Sequence, residues 1–100
     1  MAKRLIWTSR ADSIFSSILE YYISKTGSKT YSRKLNQEIA GITRLIQKQP
    51  YIGHPSEYES IRYLIHNNYK IFYEVTEYET VIHLVWDSRQ SPDNLSLFFK

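Results

Sequence analysis

Residues 68–86 read NYKIFYEVTEYETVIHLVW, and their patterning decides the fold. Tyr69 to Thr76 (YKIFYEVT) is rich in aromatic and β-branched residues at a period near two, the pattern of a strand with one face buried. Just before it, Asn67-Asn68 suits the positive φ values of a tight turn, so Ile61 to His66 is expected to pair with it as a hairpin. After a turn around Glu77 to Glu79, Thr80 to Trp86 (TVIHLVW) is apolar apart from His83, as a strand covered on both faces should be. The C-terminal half is therefore predicted to be a three-stranded meander. Beyond it, DSRQSPDNLSLFFK is polar, with Pro92 as a stop and Leu95, Leu97, Phe98 and Phe99 as late apolar anchors.

Upstream the period changes. Ala11, Ile14, Phe15, Ile18, Leu19, Tyr22 and Ile23 fall at steps of three and four, tracing a helix capped by Ser9, with Asp12 in the first turn and Gly27 as the stop. A second helix begins near Ser28, buries Tyr31, Leu35, Ile39, Ile42, Leu45 and Ile46, and ends at Pro50. A connection as short as Gly27-Ser28 forces the two helices into an antiparallel hairpin. Lys3 to Thr8 is a short extended run, and residues 50–60 (PYIGHPSEYES) read as an ordered loop. The predicted class is α+β: an N-terminal strand, then a helical hairpin packed on a small, mainly antiparallel sheet completed by the meander.

One hundred residues suit one domain spanning 1–100, since halves would be too small for self-sufficient cores. The absence of Cys excludes disulfides, thiol nucleophiles and zinc-thiolate sites. Polar TSRADS directly follows the basic start, so a secretory signal and a membrane anchor are not expected, and the cytoplasm is the expected location. Residues 1–50 hold nine Lys or Arg against three acids, a charge of +6, whereas residues 51–100 hold four against seven, a charge of −3. The basic half is the helical one. On the second helix, Lys29, Arg33, Lys34, Arg44 and Lys48 form either a solvated face or a docking strip for an acidic partner.

The catalytic inventory is thin. There is no Gly-rich phosphate loop and no HExxH, and His54, His66 and His83 share no metal-ligand spacing, so neither a metal nor a cofactor is expected. His54 and His66 read as solvated turn residues and His83 as a hydrogen-bonded sheet residue. Trp7 and Trp86 read as core rings, and Tyr63, Tyr69 and Tyr73 as rings packed across strands. The C-terminal half has only four cations, Arg62, Lys70, Arg89 and Lys100. For Arg62 and Lys70, solvent-side positions that blunt strand pairing are as natural as chemistry. Arg89 can tie its turn to Asp87.

Several residues together resemble the RelE/ParE superfamily of bacterial toxins from type II toxin-antitoxin systems. They are Trp7-Thr8 ahead of an Ala-containing first helix, Leu45 to Pro50 and Gly53 closing the second, Arg62, the strand NYKIFYEV (68–75), and VWDSRQ (85–90). The resemblance covers nearly the whole chain and implies a growth-inhibiting toxin neutralised by a cognate antitoxin, with Lys29, Arg33, Arg44 and Lys48 as the antitoxin-facing cations. It leaves two mechanisms. The ribonuclease branch cuts messenger RNA on the ribosome, using strand cations, an Arg after the last strand and commonly a C-terminal Tyr; Arg62, Lys70 and Arg89 would be the catalytic cations here. Such chemistry needs a base for the 2′-hydroxyl, cations for the phosphorane and a donor for the leaving oxygen. The expected Tyr is Leu95 in this chain, and no Tyr follows Tyr78. The ParE-like branch poisons DNA gyrase, and its Arg-Gln pair after the last strand resembles Arg89-Gln90. An RNA-gripping site should concentrate positive charge, and the sheet half is negative, so the ParE-like reading ranks first, the ribosome-dependent nuclease second, and an inactive relative serving as a binding or regulatory module third.

Overall fold

The computed structural model describes residues 3–89 and Phe99. The chain runs β1 (Arg4–Trp7), α1 (Ser9–Thr26), α2 (Thr30–Lys48), β2 (His54–Pro55), β3 (Ile61–His66), β4 (Tyr69–Val75) and β5 (Glu79–Asp87). The strands form one mixed sheet in the order β1-β5-β4-β3-β2. β1 lies parallel to β5, with Leu5 opposite Thr80 and Trp7 opposite Ile82, while the other pairings are antiparallel. The α+β class, the helical hairpin and the meander are as the sequence predicts.

α1 starts where a side chain satisfies an orphan amide: Thr8 Oγ1 accepts from the Ala11 N–H at 3.0 Å. The cap is thus Thr8 and not Ser9, which is the first helical residue. The helix stops at Gly27, whose φ of 71° favours a residue without Cβ, and whose N–H donates to Ile23 O at 2.9 Å. In α2 the buried face is Ser32, Leu35, Ile39, Thr43 and Ile46. Tyr31 is 41% exposed, so the face is rotated by about one residue from the predicted stripe. The rotation is set by Ser32, whose hydroxyl donates to Leu19 O of α1 at 2.6 Å and lets the helices approach closely.

Two apolar layers flank the sheet. Between the sheet and the helices lie Ala11, Phe15, Leu35, Ile39, Ile46, Tyr69, Ile71, Tyr73, Ile82 and Val85. On the opposite face Ile61, Phe72, Leu84 and Trp86 cluster, joined by Tyr58, Tyr63 and Phe99. A bulge in β5 makes this division possible. Phe72 pairs with Leu84 but Tyr73 pairs with Ile82, so His83 is an extra residue in the ladder. Residues 82 and 84 would share a face in a regular strand; the inserted residue sends Ile82 to the helices and Leu84 to the other side. His83 itself bonds Glu74 Oε1 at 2.8 Å, as its expected role requires.

The predicted loop 50–60 contains the short strand β2, whose Pro55 pairs with Arg62. Its geometry explains the Leu45, Pro50, Gly53 spacing. The buried Tyr73 hydroxyl donates to Pro50 O at 2.8 Å and accepts from the Gly53 N–H at 2.8 Å. A Cβ on Gly53 would stand 2.5 Å from that hydroxyl and 2.9 Å from Tyr63 O, so this approach excludes any side chain. Tyr63, opposite Phe72 in the ladder, does not share the face of Tyr69 and Tyr73. It pairs with Phe72 on the other face, with ring centroids 5.9 Å apart. At the β3–β4 turn Asn67 has φ 54°, and Asn68, contrary to expectation, does not share the positive φ.

Candidate functional site

The last strand delivers a cation to the end of the sheet. Beyond Asp87, Ser88 anchors the turn by its N–H and its hydroxyl, both donating to Asn68 O at 2.7 Å. The Asp87 carboxylate then accepts the Arg89 N–H at 3.0 Å, closing an Asx turn. The guanidinium folds back on the same carboxylate, Nε to Oδ1 at 3.0 Å and Nη2 to Oδ2 at 2.8 Å, a two-pronged charge-assisted pair. Nη2 also donates to the Tyr22 hydroxyl of α1. These contacts hold the Asp87 carboxyl below the usual carboxylate range, its Arg89 hydrogen bond outweighing partial burial. Asp87, and then Tyr22, raise the Arg89 pKa still further.

The Arg89 side chain nevertheless remains 58% exposed. It borders a cleft of about 510 Å³ between α1 and the end of β5, with Ile14, Ile18 and Tyr21 supplying apolar walls and Lys25 a second cation. Tyr22 is itself held by neighbours. Its ring lies 4.6 Å from that of Tyr31 at the start of α2 and 5.1 Å from that of Tyr21. Beneath them Tyr69 is almost wholly buried, and burial, then the Tyr31 and Tyr22 hydroxyls, push its phenol up.

The other sheet cations are not at this place. Arg62 pairs with Tyr73, on the face toward the helices, where its Nη1 donates to Gly53 O at 2.8 Å and its guanidinium lies 5.1 Å from the Tyr51 ring. Lys70 pairs with Trp86 on the opposite face, with Nζ 5.1 Å from the Tyr63 ring centroid. Cross-strand partners share a face, so Arg62 and Lys70 point to opposite sides of the sheet. His66 is more than a turn residue, since its Nε2 meets Glu38 Oε2 of α2 at 3.1 Å. His54 lies in β2, exposed, with its ring 5.6 Å from Tyr63. Among the described residues no group of three or more His, Asp or Glu is arranged to hold a metal ion.

Lys29, Arg33, Arg44 and Lys48 all stand exposed. Arg33 and Arg44 are eleven residues apart, about three turns, so they share one line on the outer face of α2. Lys29 and Lys48 extend that line to both ends of the helix, and the small residues Ala40 and Gly41 lie between its two halves. Gln90, the predicted companion of Arg89, and the anchors Leu95, Leu97 and Phe98 lie outside the described residues. Phe99 packs at 4.8 Å from the Tyr58 ring and 5.1 Å from Phe72.

The family model of the ParE toxin of the type II toxin-antitoxin system, parDE, matches residues 5–92. The chain belongs to the ParE toxin family. Among the described residues the match spans every helix and every strand except the first residue of β1, and it reaches through the Arg89 turn. The fold of this ParE toxin is similar to that of a chain described as the chromosomal ParDE toxin-antitoxin system from P. aeruginosa. The TM-score is 0.75 at 23% identity, covering 84% of this chain and 94% of that one. A search of the curated proteins finds no match. Among the described residues no helix is long and apolar enough to cross a membrane.

The contact that the sequence left unread is Tyr22. By position it belongs to the apolar stripe of the first helix. A tyrosine in place of Leu or Ile on such a stripe signals a ring whose hydroxyl reaches a polar group, and that group is Arg89.

Proposed function

We propose that this ParE toxin acts in the cytoplasm on DNA gyrase through the Arg89 turn, and that a cognate antitoxin neutralises it by covering the helical hairpin. The observation that carries the reading is the preparation of Arg89. Three of its five N–H groups are committed to Asp87 and Tyr22. The guanidinium is therefore immobilised before any partner arrives, while among the described residues both Nη1 hydrogens remain available to donate to a carboxylate or carbonyl. An ordered, exposed Arg with its entropy already lost is a good interface anchor.

The ribonuclease reading is less well supported. Cations that stabilise one phosphorane must converge within hydrogen-bond reach of it. Arg62 and Lys70 instead occupy opposite faces, each engaged with its own ring. The antitoxin reading draws on charge: the Lys29, Arg33, Arg44 and Lys48 line is about 28 Å long and suits an acidic segment that folds as it binds. Pulsed expression of the full chain tests the target. Growth arrest with DNA damage and intact messages is expected; ribosome-dependent cleavage of messages with undamaged DNA would overturn the reading.

A further inference from the structure

The Arg89 clamp joins two parts of the chain that share no turn, strand pair or helix. Asp87 is two residues away at the end of β5, and Ser88 ties the turn to Asn68, so the pair fixes the guanidinium relative to the sheet only. Tyr22 lies 67 residues away, on α1, and its ring is seated between Tyr21 of α1 and Tyr31 of α2. It is thus the Tyr22 hydroxyl that references Arg89 to the helical hairpin. We propose that Tyr22 is a positioning residue for the target contact: by accepting from Nη2 it fixes the guanidinium plane, so that the Nη1 edge faces the partner. This inference rests on the reading of Arg89 as the contact to gyrase.

With the Asp87 pair alone, the guanidinium could still tilt against the carboxylate at the end of β5. The hydrogen bond to α1 removes that freedom without adding any group to the interface. Tyr22 need not touch the partner, and its effect should pass entirely through Arg89.

Tyr22→Phe deletes the hydroxyl and keeps the ring packing. Guanidinium NMR on the full-length protein should show slow rotation about the Arg89 Cζ–Nη2 bond in the parent and faster exchange in the variant. In a gyrase supercoiling assay the half-inhibitory concentration should rise about threefold to tenfold, the size expected for the net contribution of one exposed hydrogen bond. In an Arg89→Lys background, where the planar fork is gone, the same change should add nothing. A merely structural role for Tyr22 would instead produce equal losses in both backgrounds. That result, or unchanged rotation and inhibition in Tyr22→Phe, overturns the inference while leaving the function standing, provided Arg89→Ala is still defective. Full inhibition by Arg89→Ala would overturn the reading of Arg89, and the positioning role with it.

Discussion

A single hydroxyl organises the crossing from the helices to the sheet. Tyr73 donates to Pro50 O and accepts from Gly53 N–H, so its removal strands a buried amide and a carbonyl together. Burial pushes its phenol up, against the Gly53 amide and the Arg62 charge, and keeps the hydroxyl protonated and able to donate. Tyr73→Phe should therefore cost about 1–3 kcal/mol, read as a lower urea midpoint at unchanged slope. Asp87 provides a pH handle. Its folded pKa is depressed by Arg89, so its contribution to stability is complete above the unfolded value of about 4 and is lost as pH falls through the lower folded value. Asp87→Asn removes this proton linkage. Its melting temperature should lie below that of the parent near neutrality, and the gap should narrow as the solution is acidified below about pH 4. A gap that stays constant with pH would refute the linkage.

At the scale of elements, the helices and the meander were legible because their signals are local: a period of three to four up to Gly27, another up to Pro50, then a period near two. What the sequence concealed depends on partners far along the chain. His83 could not be read as a bulge, because an extra residue is defined only against the strand opposite. β2 is two residues long and exists through its pairing with β3. The face of α2 turned on a Ser that bonds to the other helix. Arg89 was legible as a candidate from its place after the last strand, and its bond to Asp87 from their spacing, whereas Tyr22 required the packing of α1 against β5. The N-cap offers a local check. Thr8→Ala should lower stability by about 1 kcal/mol, while Ser9→Ala should change it by less than about 0.5 kcal/mol. Circular dichroism melts of the two variants separate Thr8 from Ser9 as the cap.

For the molecule as a whole, β1 against β5 ties the N-terminal strand to the last, Arg4 opposite Glu79. The two helices cover one face of the sheet. The acidic balance of the second half and the basic outer line of α2 then divide the surface: the cations line the helices, and the Arg89 turn stands at the end of the sheet. The central claim is that this ParE toxin reaches its target through Arg89 alone among the sheet cations. The direct measurement is inhibition of supercoiling by purified gyrase, comparing the parent chain with Arg89→Ala and Lys70→Ala, each confirmed as folded by its melt. The expected result is inhibition by the parent and by Lys70→Ala, and its loss in Arg89→Ala. Equal losses in both variants, or gyrase untouched by the parent while messages on ribosomes are cut, would contradict the account.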